Sequence, residues 1–239
     1  MYTWFCIRAF EWSNGVPYHI IEAGGNAINI TPTPNLDYWS KAFYEPLLIK
    51  NDAPCLLTRV AADAEATLTT AFTLKLRAQF DQAGIMVLVD ENTWVKAGIE
   101  FTDGSPRLSC VVTNDGYSDW STQRWPDWDA TTQSTSIHVR LSKLQPGSAQ
   151  GPALVFEAAP WAEGETVETE VARGQIRIAS LRSFEQPWRM GFFAISPIAT
   201  AGSSTRFHYM QLGPKQKPVH DADAGLPPST TMRSDKEDL

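Results

Sequence analysis

The chain is poor in cysteine, in histidine, in excess positive charge and in long apolar runs, and each shortage excludes a class of function. Cys6, Cys55 and Cys110 are its three cysteines. They are odd in number, widely spaced and form no Cys-x-x-Cys pair, so neither a disulfide framework nor a zinc cluster is expected. Cys110 lies inside an apolar run and reads as a structural thiol, not a nucleophile. With 20 Lys and Arg against 27 Asp and Glu, the net charge is −7. An acidic chain with scattered cations repels phosphate backbones, which argues against nucleic acid as a partner. Apolar runs such as 84–89 are far too short to cross a bilayer. The first eight residues lack the basic start, apolar stretch and cleavage site of a secretory signal, so a cytoplasmic location is expected.

Chemical motifs are scarce as well. There is no Gly-x-Ser-x-Gly elbow, phosphate loop, dinucleotide fingerprint or His-rich zinc spacing, so neither a metal nor a cofactor is expected. The Asp90 and Asp103 turns lack the clustered acidic loop of a calcium site and read as solvated turns. Helical periodicity is missing too, with at most a short turn over Leu36 to Phe43.

What is present is period-two alternation. In 70–77, Phe72, Leu74 and Leu76 fall on one face and Thr73, Lys75 and Arg77 on the other, the pattern of a half-buried strand. Residues 85–89 form a short apolar run. After the polar turn at 90–92, residues 94–101 alternate again, followed by turns at 103–106 and 114–116. A meander of three or four strands is expected there, with further strands at 118–122, 137–141, 154–157, 175–181, 190–195 and 205–212. Short strands between turns, with no helices, predict an all-β sandwich of two antiparallel sheets. Its length of 239 residues fits one domain over 1–213 and a Pro-containing tail, 214–239, expected to be disordered. Residues 146–152 read as an exposed loop and 158–174 as an insertion.

The segments Asp81-Gln82-Ala83-Gly84-Ile85-Met86-Val87, Trp94 to Phe101 and Ser118-Asp119-Trp120-Ser121 resemble the regulation-of-enolase family of concanavalin-A-like domains. The resemblance is strongest from Asp37 to Ser121 and does not extend to 158–173. It implies a jelly-roll sandwich with one curved sheet face open to ligands or partners, and no settled activity.

If Val95, Ala97, Ile99 and Phe101 face the core, Trp94, Lys96, Gly98 and Glu100 share the opposite face. An aromatic platform, a cation, a gap and a carboxylate make either the floor of a ligand groove or a solvated face carrying an ion pair. His138 and Arg140 alternate likewise, and would join Lys96 and Glu100 if their strands were adjacent. A histidine beside a carboxylate is a candidate acid or base, although a lone strand histidine is more often structural. Asp119 and Trp120 suit sugar stacking with hydroxyl recognition, or a buried indole with its acceptor. Trp39, with Trp12, Trp125, Trp128 and Trp161, is expected in segments that rim a pocket. The carboxylates of 165–170 lack the spacing of a sandwich glycosidase.

Three functions fit. The first is an intracellular sandwich holding a small organic ligand, metabolite or carbohydrate, on a Trp-rich concave face through Trp94, Arg140, Asp119, Trp120 and Trp39. The second is a cofactor-independent isomerase, cyclase or lyase in which Lys96, Glu100 or His138 moves a proton. The third, implied by the family resemblance, is a regulatory protein that docks a metabolic enzyme such as enolase.

Overall fold

The computed structural model describes residues 7–144, 153–165, 175–181, 186–198 and 203–216. The expected loop at 146–152, the greater part of the 158–174 segment and the tail beyond 216 lie outside the described residues. A single 3-10 turn, Ile7–Ala9, precedes strands β1 (Glu11–Ser13), β2 (Tyr18–Ile21), β3 (Ile28–Thr31), β4 (Tyr38–Ser40), β5 (Ile49–Asn51) and β6 (Cys55–Val60). Next come β7 (Ala66–Lys75), β8 (Gln82–Asp90), β9 (Thr93–Thr102), β10 (Ser105–Asn114), β11 (Tyr117–Arg124) and β12 (Ser134–Leu144). The chain continues with β13 (Ala153–Pro160), β14 (Gln175–Ser180), β15 (Trp188–Ile195) and β16 (Ser204–Gly213). No α-helix occurs among the described residues.

Two antiparallel seven-stranded sheets result, ordered β1-β6-β15-β8-β9-β10-β11 and β14-β13-β12-β7-β16-β3-β2. The expected meander is β8 to β11. Its two tight turns, Asp103-Gly104 and Asp115-Gly116, have positive φ at both central residues: 53° and 77°, 54° and 76°. That is the twist a two-residue hairpin requires, and Asp-Gly supplies it with little strain.

The sheets face each other across one apolar core. Ile85, Val87, Val95, Ala97, Ile99 and Phe192 from the first meet Leu68, Phe72, Ile137, Val139, Leu141 and Phe207 from the second. The side of β9 carrying Val95, Ala97 and Ile99 is therefore the inner one, as alternation predicts.

The outer face of the first sheet is not open. A two-stranded hairpin, β4 with β5, lies over it. Tyr38, Trp39 and Ala53 pack there on Cys55, Leu57, Met86, Leu88, Trp94, Val111, Phe193 and Ile195, making a second core. The chain before residue 66 carries six strands where the sequence pattern shows none. Strands of three to six residues are too short for alternation to stand out, and the expected turn at 36–43 contains β4.

Candidate functional site

Beside the second core the hairpin leaves a cavity of about 190 Å³ over the outer face of β8 to β11. Its floor is polar. Lys96, 3% exposed, forms an ion pair with Asp37 at 2.9 Å, Nζ to Oδ1. Gln82 Nε2 reaches the same Asp37 oxygen at 3.4 Å, and the Asp37 amide donates to Asp52 Oδ1 at 2.9 Å. A sheet lysine is thereby joined to the start of the covering hairpin. Glu100, 6% exposed, receives hydrogen bonds on Oε2 from Ser109 Oγ at 2.6 Å and Trp120 Nε1 at 3.0 Å.

Burial pushes the Glu100 carboxyl above the usual carboxylate range. The positive charge of Lys96 and the Ser109 hydrogen bond oppose this, Asp37 reinforces it, and the Trp120 hydrogen bond opposes it again. The walls are mainly apolar and aromatic, Trp39, Tyr44, Phe80, Val111 and Trp120, with Asn35 and the Asp52-paired Lys50 among them and Ile198 at the mouth. Trp39 meets Tyr44 edge-on at 5.5 Å and Trp120 at 6.4 Å between ring centroids. Trp39 Nε1 donates to the Ala42 carbonyl at 3.0 Å, which fixes the ring across the opening. Gly98 lies between Lys96 and Glu100 on β9, where its backbone packs against that of Gly84 in β8.

Of the candidates, the structure gathers Lys96, Glu100, Trp120 and Trp39 around this cavity. Trp94 shares their sheet face but is fully buried in the second core, edge-on to Tyr38 at 5.5 Å, and does not line the cavity. Its indole N–H has no hydrogen-bond partner among the described residues. The covering hairpin, unforeseen in the sequence, turns that platform into packing. Asp119 is exposed and stands outside the cavity.

His138 and Arg140 are on β12 in the other sheet, so they do not converge with Lys96 and Glu100. His138 is 1% exposed; burial first, then the charge of Arg140, hold its pKa down at about 4. It is neutral at pH 7. Arg140 Nε donates to Glu157 Oε2 at 2.7 Å. Among the other tryptophans, Trp125 is buried between the sheets with Nε1 on Thr135 Oγ1 at 2.9 Å, and Trp161 packs on His208 at 4.3 Å. Neither borders the cavity.

Asp37, Tyr44 and Phe80 escaped the sequence reading. Asp37 adjoins Tyr38 and Trp39, and a carboxylate beside two aromatics in a chain with few motifs was the available signal. Phe80 had none, since it depends on the tight 77–81 turn, where the Arg77 and Ala78 amides donate to Asp81 Oδ2 at 2.8 Å each. Among the described residues, no cluster of three or more His, Cys, Asp or Glu is placed to hold a metal ion, and no helix is long and apolar enough to cross a membrane.

Two antiparallel sheets closed on a common core define an all-β, concanavalin-A-like jelly-roll sandwich. Solved structures agree. A functionally unknown protein from Saccharomyces cerevisiae superposes with a TM-score of 0.70 at 23% identity, over 89% of this chain and 100% of that one. A Bacteroides ovatus GH43B protein of a xyloglucan locus superposes at 0.52 and 11% identity, over 80% of this chain and 33% of that one. At these identities the likeness shows the fold alone.

The chain belongs to the family described as "Protein of unknown function (DUF1349)", whose model matches residues 12–215. It is 36% identical over 118 residues to "Regulation of enolase protein 1" of Saccharomyces cerevisiae, covering 46% of this chain and 52% of that protein. It is 34% identical over 92 residues to an uncharacterized protein of Emericella nidulans, covering 37% and 44%. The chain thus spans about half the length of the curated relatives it matches.

Proposed function

We propose that the protein is an intracellular binding module that holds a small, uncharged, hydroxylated ring, a metabolite or single sugar unit, in the cavity over β8 to β11. The observation carrying this is the electrical balance of the floor. Lys96 pairs with Asp37 and the bordering Lys50 with Asp52, and burial favours the uncharged form of Glu100, so an ionic ligand would enter without a free counter-charge. Aromatic walls supply flat contact, and three polar side chains supply orientation. The volume equals on the order of six water molecules, enough for one ring. The Lys96–Asp37 pair also ties down the hairpin, but that role leaves the buried Glu100 beside an aromatic-walled opening without a purpose. A cytoplasmic location fits the buried, reduced Cys55.

Calorimetric titration with monosaccharides, inositols and their singly charged analogues tests the reading. At least one neutral ring binds, Trp120→Ala weakens it tenfold or more, and the melting midpoint moves by only a few degrees because Trp120 is 38% exposed. Preference for a charged analogue, or binding indifferent to Trp120→Ala, defeats it. The isomerase, cyclase or lyase alternative uses the same cavity with Lys96 and Glu100 alone, and conversion of the bound ring in the same samples marks it.

A regulatory role has its own support. The relative named for regulation of enolase shares 36% identity, and Phe43, 95% exposed, projects beside the cavity mouth with its backbone in the left-handed region at φ 67°. In that reading Phe43 anchors the protein to a metabolic enzyme such as enolase. Phe43→Asp then abolishes association with purified enolase and leaves ring binding intact.

A further inference from the structure

A second cavity, of about 350 Å³, opens at the other end of the first sheet, between β1, β6 and β15. Its lining includes a pair of arginines. Arg59 of β6 and Arg189 of β15 are direct register partners and both border the cavity. Like charges placed opposite each other on adjacent antiparallel strands destabilise a sheet, so a purely structural role would call for a carboxylate between them. Among the described residues no carboxylate forms an ion pair with either guanidinium. Glu11 borders the cavity without reaching ion-pair distance of either one. Arg59 is exposed and Arg189 half-buried, so both guanidiniums stand open to an anion arriving from solvent.

We infer that this cavity is a binding site for an organic phosphate, its phosphoryl group bridging Arg59 and Arg189 and its carbon skeleton resting against Leu57. One guanidinium fork satisfies the two oxygens of a carboxylate. Two forks side by side match a group with three terminal oxygens and a charge near −2 at pH 7. Ser13 lines the cavity on the same face, its hydroxyl donating to the Cys55 carbonyl at 3.3 Å. Leu57, two residues from Arg59 on the same outer face of β6, supplies an apolar surface at the cavity wall. The inference is independent of the neutral-ring reading of the first cavity.

The test is calorimetric titration of the full chain with inorganic phosphate, phenyl phosphate, phenol and benzoate, at ionic strength held constant with chloride. Phosphate binds, phenyl phosphate binds at least threefold more tightly, and phenol and benzoate do not compete. Arg59→Gln and Arg189→Gln each weaken phosphate binding at least tenfold. In phosphate-free buffer both variants melt at or above the parent midpoint, because removing one guanidinium relieves repulsion. Glu11→Gln tightens phosphate binding, and Trp120→Ala in the first cavity leaves it unchanged. Phosphate affinity unaltered in both arginine variants, or a lowered phosphate-free midpoint in both, overturns the site. Stronger binding of benzoate than of phenyl phosphate overturns the ligand class, and equal binding of inorganic and phenyl phosphate overturns the role of Leu57.

Discussion

Glu100 sits where two tendencies oppose each other. Burial favours its protonated form, while Lys96, Ser109 and Trp120 favour the carboxylate, and burial is the largest influence. Its folded pKa is thus above its unfolded value, near 4.3 for a free glutamate. The folded protein keeps this proton over a pH range in which the unfolded chain has released it, so this group's contribution to stability falls as pH rises from there. Glu100→Gln removes the titration and keeps an oxygen to accept from Ser109 and Trp120. Thermal melts will therefore show the variant more stable than the parent at pH 7 to 8, by about 2–4 °C for each kcal/mol recovered, with the gain vanishing below pH 4. A gain equal at both pH values would show that packing, not ionisation, is responsible. The partnership of Lys96, Gly98 and Glu100 on one face was legible from alternation alone. Their burial was not, because it depends on a segment some sixty residues earlier, at Asp37.

In β8 and β9, Gly84 and Gly98 are register partners, and their closeness explains a pattern that looks like two unrelated gaps in the sequence. A Cβ on Gly98 would stand 2.0 Å from the Ala83 carbonyl oxygen, and one on Gly84 would stand 2.1 Å from that of Ala97. Backbone meets backbone here, so no rotamer change relieves the contact. Gly98→Ala is expected to cost about 3 kcal/mol, the upper end for overpacking, and to displace the Lys96–Glu100 floor. Gly213→Ala, with nothing within 4 Å of its added carbon, is the control and stays within about 0.5 kcal/mol. Denaturant melts of the two variants decide this, and equal midpoints would falsify the account. The long strands β7 to β12 were legible because ten residues repeat the alternation several times. β4 and β5 were not: with three residues each, β4 read as part of a turn over 36–43 and β5 carried no pattern.

The molecule has two cores of unequal standing. The one between the sheets is enclosed by fourteen strands; the other lies under a two-stranded hairpin, a unit that is marginal without packing. Side chains hold that hairpin down, together with bonds such as Ser40 Oγ to the Gly116 carbonyl at 2.7 Å and the Lys96–Asp37 pair. Hydrogen exchange is expected to find the amides of β4 and β5 opening well before those of β8 and β9, and a ring bound in the cavity slows them selectively. Uniform protection across both regions would show the cover to be part of the main cooperative unit. The sequence by itself determined the all-β class, the meander, its Asp-Gly turns and the inward face of β9, since each follows from residues within a few positions of one another. Only the tertiary structure decided that the opposite face is a covered cavity and not an open groove. It buried Trp94, assigned His138 and Arg140 to the other sheet, and set Arg59 against Arg189. Those outcomes depend on strand order and on which distant segment covers which face, and period-two alternation carries no information about either.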